Sequence, residues 1–481
     1  MTYAFTFDAS ACSGCKACQI ACKDKNNLPT GVLWRRVYEV SGGSWQRQGE
    51  AWTTDVFAYN LSIACNHCVH PKCAGVCPTN AYVVRPDGIV YIDESKCMGC
   101  GYCAWACPYS APQYNPELRH MTKCNFCYDN LDAGLPPACV AACPLRVLDF
   151  TVISDQFSGI TGEHQKLWET PGQEHPFPLP VFSRTQPHLA LKPHAAMGNG
   201  LEKAIANQEE IQPARVRRTV LNGNISKEKT NRLSGFFSKV WCDALHATDE
   251  LPLIIFTLCG QMAAGMAFFA LFDGPLTPFA LTLIAVLIGL GGLASLLHLG
   301  TPLNAWRALN HLKKSWLSRE ILLFGLFGVG WLLALAAPGM GKAPLALAGL
   351  SLVYAMAQVY RIKAVPAWNT WRTNAAFFLS AGVLGLTGIA LGLGLERVCL
   401  PLWALLAAEA FLALFGDAPA HETAGKLRGV CLALAALAVG FLPVLPPTAQ
   451  MWLSTPIFLL IFIQELIGRW AFYELKNRRI L

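Results

Sequence analysis

The chain has 481 residues, about three times the length of a typical single domain, which predicts two or three domains and excludes a disulfide-stapled miniprotein. Apolar residues make up 53% and charged residues only 14%, against roughly 25% charged in ordinary soluble chains, with mean hydropathy +0.35, so a membrane protein is expected. The net charge of +7 is modest, and with no long basic run it excludes nucleic acid as a partner.

Sixteen of the twenty cysteines precede residue 144, in four groups. Cys12, Cys15, Cys18 and Cys22 follow C-x2-C-x2-C-x3-C, and Cys97, Cys100, Cys103 and Cys107 repeat it, with Pro108 after the last. Cys65, Cys68, Cys73 and Cys77 widen one gap to four residues, and Cys124, Cys127, Cys139 and Cys143 widen one to eleven. A cubane needs four thiolates arriving from different directions; a tight loop supplies three, and the fourth comes from a neighbouring motif. Sixteen such ligands predict four [4Fe–4S] clusters. Zinc is the competing reading, but zinc sites favour two separated cysteine pairs, often with histidine. A disulfide framework would need an oxidising compartment. Tyr3–Asp8 and Gly88–Asp93 are alternating, strand-like segments that each lead into a cysteine loop, the pattern of a duplicated ferredoxin unit.

Residues 1–195 are therefore expected to form an α+β, ferredoxin-like domain, and residues 196–250, with Arg215, Arg217, Arg218 and the run Lys227 to Arg232, a connector. From 251 to 481 an all-α transmembrane bundle of eight helices is expected, at about 252–272, 278–298, 321–338, 344–361, 375–394, 399–416, 428–445 and 453–472. With eight spans both flanks share one side. The loops on that side carry Arg307, Lys313, Lys314, Arg319, Arg361, Lys363, Arg372, Lys426, Arg428, Lys476, Arg478 and Arg479, and the opposite loops only Lys342 and Arg397. That bias places the cysteine domain and both termini on the cytoplasmic side of an inner membrane. The first eight residues have no basic n-region, apolar core or twin arginine, so an export signal is not expected.

Within the bundle a haem is not expected, because only His298 stands at a helix end and His311 and His421 fall in loops. His298 and Glu320 are a titratable pair at helix ends, groups able to take up protons; capping helices, or pairing of Glu320 with Arg319, is the structural alternative. Glu409 and Glu465 lie inside helices, as functional groups or as neutral hydrogen-bonding ones. Gly382, Gly385, Gly388 and Gly392 have the spacing of helix-packing contacts. Cys242, Cys259, Cys399 and Cys431 read as small apolar residues.

Cys12-Ser-Gly-Cys-Lys-Ala-Cys-Gln-Ile-Ala-Cys-Lys23, Ser62-Ile-Ala-Cys-Asn-His-Cys68, Ala106-Cys-Pro-Tyr-Ser-Ala-Pro-Gln-Tyr114 and Ala142-Cys-Pro-Leu-Arg-Val-Leu-Asp-Phe150 closely resemble the four-cluster iron–sulfur subunit of the dimethyl sulfoxide reductase family of molybdoenzymes. The stretches Ser295–Asn310, Ser315–Glu320, Tyr360–Thr373 and Ile467–Tyr473 resemble that family's haem-free anchor subunit, so the chain looks like both subunits fused end to end. The resemblance implies ligand sets Cys12/Cys15/Cys18/Cys143, Cys124/Cys127/Cys139/Cys22, Cys65/Cys68/Cys73/Cys107 and Cys97/Cys100/Cys103/Cys77, the last nearest the membrane. Relatives with a three-iron cluster have tryptophan at the position of Cys100; here the cysteine is kept. It also implies a quinol site involving His298 and Glu320, a separate molybdopterin-containing catalytic subunit, and electron transfer between quinone and that subunit. Two alternatives stand beside it: the same parts run in reverse, as in a cytoplasm-facing sulfite dehydrogenase, and a cluster-driven ion-translocating module.

Overall fold

The computed structural model describes residues 2–153, 185–196, 204–206, 250–272, 276–414 and 422–474. Most of the connector expected over 196–250, with its basic runs and Cys242, lies outside the described residues, as do the Glu174–Pro180 stretch and His421. The chain forms two compact units.

In the first unit a three-stranded sheet is centred on β1 (Thr2–Asp8), which pairs antiparallel with β10 (Leu148–Ile153) and parallel with β11 (Leu189–Lys192). Phe5 faces Phe150 across the first pair and Phe7 faces Leu148, so the inward positions of β1 drive its pairing. A second sheet orders β12 (Ala204–Ala206), β2 (Arg36–Gly42) and β5 (Phe57–Ile63). Three hairpins complete the sheets: β3 (Trp45–Gln48) with β4 (Ala51–Thr54), β6 (Tyr82–Val84) with β7 (Val90–Ile92), and β8 (Gln113–Asn115) with β9 (His120–Thr122). Phe5, Val37, Val40, Leu61, Ile63, Phe126 and Leu148 form the core with the cysteines packed into it, and the rings of Phe5 and Phe126 stack 4.0 Å apart.

Each cysteine group sits behind a strand and enters a short helix. β1 leads to Cys12 and α1 (Ala17–Lys25), β5 to Cys65 and α2 (Lys72–Val76), and β7 to Cys97 and α3 (Tyr102–Ala106). β9 leads to Cys124, α4 (Tyr128–Asp132) and α5 (Ala138–Ala141). The duplication expected from two segments is thus present four times as a local motif. In all four, the residue before the second cysteine has positive φ: Gly14 at 71°, His67 at 43°, Gly99 at 73° and Phe126 at 62°. A left-handed residue there folds the loop back on itself, which turns successive thiols toward one volume.

The second unit is helical: α6 (Leu251–Phe269), α7 (Pro278–His298), α8 (Trp316–Ala336), α9 (Pro338–Tyr360), α10 (Trp371–Leu393), α11 (Cys399–Leu414), α12 (Glu422–Phe441) and α13 (Pro447–Glu474). Seven are long and apolar enough to cross a bilayer, while α11, at 16 residues, is shorter. The eight helices fall where the apolar runs lie, but several begin earlier. α8 starts at Trp316 instead of 321 because Ser315 caps it, accepting from the Ser318 N–H. α12 starts at Glu422 instead of 428, which draws Lys426 and Arg428 out of the loop and into the helix. A hydrophobic run marks the part of a helix in lipid and is blind to a polar first turn.

The four glycines of α10 meet three different helices. A Cβ on Gly382 would touch Leu405, one on Gly388 Met266, one on Gly392 Phe279, and one on Gly385 would run into the backbone of Gly265. Only at Gly385 do two backbones approach so closely that no side chain can yield. Gly385→Ala should therefore cost about 1–3 kcal/mol through overpacking, read as a lower melting temperature in detergent. Gly325→Ala, whose Cβ would meet nothing within 4 Å, should leave it unchanged.

Candidate functional site

All sixteen amino-terminal cysteines are free thiols; twelve are buried, Cys12, Cys68 and Cys100 are half-buried, and Cys15 is exposed. The motifs interlock. Cys12 has Cys15, Cys18 and Cys143 as its close charged neighbours. Cys22 has Cys139 and Cys127 as its charged neighbours, and Cys124 has Cys22, Cys127 and Cys139 together with Cys65. Cys73 faces Cys65, Cys68 and Cys107, and Cys103 faces Cys77, Cys97 and Cys100. First motif is joined to fourth and second to third.

Two of these mixed sets line cavities. Cys65, Cys68, Cys73 and Cys107 surround about 380 Å³ together with Asn66, His67, Lys123 and Thr185, and Cys12, Cys15, Cys18 and Cys143 about 340 Å³, each counted to its open mouth. Among the described residues no three His, Cys, Asp or Glu side chains converge on a single-ion site. A tetrahedral zinc needs its sulfurs within about 2.3 Å of one point; thiols spread round an open volume suit a polynuclear core. Burial raises the Cys22 thiol to about 12, with Cys139 adding to the rise, and it lifts Cys73 and Cys124 well above their ordinary value. Thiols so placed ionise only against strong positive charge, as an iron core supplies. Donors are already aimed at sulfur: the Phe126 N–H at Cys124 Sγ (3.4 Å), the Ala81 N–H at Cys77 Sγ (3.4 Å), and Ser62 Oγ lies 3.3 Å from Cys18 Sγ.

In the helical unit Glu320 is 4% exposed, one turn into α8, within electrostatic reach of Tyr360 and Tyr473, whose hydroxyls are 2.5 Å apart. Arg319 is not its partner: the guanidinium donates to the carbonyls of Leu312 and Lys313, both at 2.8 Å, and lies over the Trp316 ring. His298 is the last residue of α7 and is half-buried.

Glu409 and Glu465 belong to a buried network that the sequence reading drew only in part. Arg428 Nη2 donates to Glu409 Oε1 at 2.7 Å, and Gln464 Nε2 reaches both Glu409 Oε2 (3.3 Å) and Glu465 Oε1 (3.1 Å). One helical turn on, Arg469 Nη2 donates to Gln261 Oε1 at 2.6 Å while its guanidinium lies 4.0 Å from the Phe377 ring centre. Gln464, Arg428 and Arg469 were not foreseen as network members. Elsewhere in the unit Gln358 Nε2 donates to Asn374 Oδ1 at 3.2 Å. Cys259 and Cys399 are half-buried and Cys431 buried.

A ferredoxin-type domain holding several thiol cages, continuous with a multi-helix membrane anchor, defines an iron–sulfur electron-transfer protein built into a membrane. Residues 56–153 match the 4Fe-4S dicluster domain family, and residues 245–415 the DMSO reductase anchor subunit family. The sequence is 47% identical over 193 residues to a chain of the anaerobic dimethyl sulfoxide reductase of Escherichia coli, covering 40% of this protein and 89% of that one. Its Haemophilus influenzae counterpart is 43% identical over 212 residues, 44% of this protein and 98% of the relative. A subunit of the tetrathionate reductase of Salmonella typhimurium is 43% identical over 143 residues, 29% of this protein and 54% of that one. The protein belongs to the family of these iron–sulfur chains of anaerobic dimethyl sulfoxide reductase, and it carries an anchor-subunit domain on the same polypeptide. It is a multi-pass membrane protein with iron–sulfur clusters, the electron-transfer and membrane-anchor subunit of a dimethyl sulfoxide reductase-type oxidoreductase complex.

Proposed function

We propose that the chain holds four [4Fe–4S] clusters, on Cys12/Cys15/Cys18/Cys143, Cys22/Cys124/Cys127/Cys139, Cys65/Cys68/Cys73/Cys107 and Cys77/Cys97/Cys100/Cys103, and links membrane quinol to a separate molybdopterin-containing catalytic subunit. The observation that carries the reading is the crossing of motifs, in which each group sends its last cysteine to another and receives one back. When bound, the clusters supply one-electron carriers along the domain. The protein's own part is to keep the thiols apart, exclude water and donate hydrogen bonds to sulfur.

At the membrane end, Glu320 and His298 take up the two protons that a quinol releases with its two electrons. The buried carboxyl of Glu320 lies within electrostatic reach of the paired hydroxyls of Tyr360 and Tyr473, groups able to pass a proton on. The distribution of Lys and Arg over the loops and adjoining helix ends supports a cytoplasmic address for the cluster domain, with Arg319, Arg372, Lys426 and Arg428 on one side, and Lys342 on the other, standing in the helices that border the loops. That address also fits the reverse flow of a sulfite dehydrogenase-type complex, and comparing quinol-driven with quinone-reducing rates in the isolated complex decides between the two directions.

The purified chain should contain about sixteen irons, four per cubane, and its visible absorption should bleach on adding a reduced menaquinol analogue. Iron far below that number refutes the four-cluster assignment, and full iron with no bleaching refutes the quinol site.

A further inference from the structure

Three cations are buried in the first unit without a carboxylate partner among the described residues: Arg36 donates to the carbonyls of Tyr109 and Ser110, and the other two, Arg35 and Lys123, have thiols as electrostatic neighbours. Arg35 is 2% exposed. Its Nη1 lies 3.3 Å from Ser62 Oγ, which in turn contacts Cys18 Sγ; its backbone N–H serves Cys22; and its guanidinium lies 4.4 Å from the Phe5 ring centre. Cys18, Cys22, Cys124 and Cys139 are its electrostatic neighbours, and its Nε and Nη2 have no hydrogen-bond acceptor. Arg35 therefore stands between the Cys12 set and the Cys22 set. Lys123 is 3% exposed, donates from Nζ to the carbonyls of Val90 and Cys124, and has Cys65, Cys73 and Cys124 as electrostatic neighbours. It stands between the Cys22 set and the Cys65 set. At the third junction, between the Cys65 and Cys77 sets, the buried group is neutral: the Tyr82 phenol, next to Cys73, Cys77 and Cys103.

An unpaired buried cation is costly unless negative charge answers it. Lys25 and Lys192, at the surface of the same unit, have Asp129 and Asp8. For Arg35 and Lys123 the charged neighbours are the thiols of these sets, and Arg35 Nε and Nη2 are left without an acceptor.

We propose that Arg35 and Lys123 are positioning residues for electron transfer: fixed positive charges at the first two junctions that raise the reduction potentials of the clusters on either side, most at the Cys22/Cys124/Cys127/Cys139 set, which both flank. Reduction adds one electron and no proton, so the reduced state is more negative, and a nearby cation in a medium of low dielectric favours it. The Cys77/Cys97/Cys100/Cys103 set has no such neighbour at its junction and is the internal reference. This inference rests on the ligand sets proposed above.

The test is a potentiometric titration followed by electron paramagnetic resonance on the full-length protein, with Arg35→Gln and Lys123→Met. Each variant should lower two of the four midpoints, by about tenfold in the reduced-to-oxidised ratio, or about 59 mV for a one-electron couple. One signal should be affected in both variants and one in neither. Four intact signals with unmoved midpoints, or equal shifts in all four, overturn the proposal. Where Arg35→Gln loses a cluster, Arg35→Lys decides: midpoints near wild type support a role for charge, and midpoints lowered by tenfold or more overturn it. Fewer than four signals in the wild-type protein would instead refute the ligand sets.

Discussion

Cys22→Ser should erase the same paramagnetic signal as Cys139→Ser, and remove about four of sixteen irons, while the signal lost in Cys12→Ser persists. The linear order does not say which distant cysteines Cys22 joins, because Cys22 is four residues from Cys18 and belongs to the same C-x2-C-x2-C-x3-C run. The reason is the helix between them. α1 carries both cysteines, but Cys18 stands at its first turn with Cys139 and Cys143 as neighbours, and Cys22 one turn further on, among Cys139 and Cys127. α1 thus bridges two cages, and its integrity couples them. The Asn26 amide, which donates to the Cys22 carbonyl at 2.8 Å and lies 3.8 Å from Cys22 Sγ, holds the end of that bridge. A serine at position 22 leaves the Cys12 set its four thiols and takes one from the other. Quinol-driven reduction of the catalytic partner should fall to background in both Cys22→Ser and Cys139→Ser, since one carrier is missing from the series. Signals lost together in Cys12→Ser and Cys22→Ser would show that the first motif serves one cluster, contrary to the crossed geometry.

The cysteine groups and the apolar runs were legible because each is a composition signal at fixed spacing: thiols three residues apart, and stretches long enough to cross hydrocarbon. The partners of each cysteine were not, because spacing limits which thiols one loop can gather and leaves open which distant loop completes the set; that step came from family resemblance. The left-handed residue before each second cysteine was half legible. Gly14 and Gly99 announce it, while His67 and Phe126 adopt it because burial against the core holds them there: Phe126 stacks on Phe5, and His67 Nδ1 accepts from the Val90 N–H at 3.0 Å. In the membrane half, Arg428 was read as a loop charge that marks sidedness. The helix begins six residues earlier and carries it to Glu409. Gln464 and Arg469 escaped notice because these helices are apolar nearly all round, so periodicity does not reveal which face meets a neighbour. The ion-translocation alternative had lacked connected polar groups. The cluster formed by Glu409, Gln464, Glu465 and Arg428 supplies a local one, with Gln464 Oε1 and Arg428 Nε still without hydrogen-bond partners inside it.

Glu320→Gln should slow quinol-driven reduction of the clusters by about 10²-fold or more, the usual contribution of a positioned acid–base group, while dithionite still reduces them fully. The substitution keeps size and hydrogen-bonding capacity and removes only the ability to accept a proton, so a slow step isolates that role. Burial strengthens the expectation. A carboxyl 4% exposed one turn into a membrane helix, with Arg319 turned to the carbonyls of Leu312 and Lys313, is costly to bury. His298→Ala should give a loss of similar direction if the imidazole shares the protons. Tyr360→Phe should slow the reaction less, because it breaks the hydroxyl pair with Tyr473 but leaves the acceptor in place. Arg319→Ala, which removes the charge nearest in sequence, should leave the rate within about twofold, a change worth under about 0.5 kcal/mol. Wild-type rates in Glu320→Gln would return the residue to a purely structural role and move the search for the proton acceptor to the carboxyls held by Gln464.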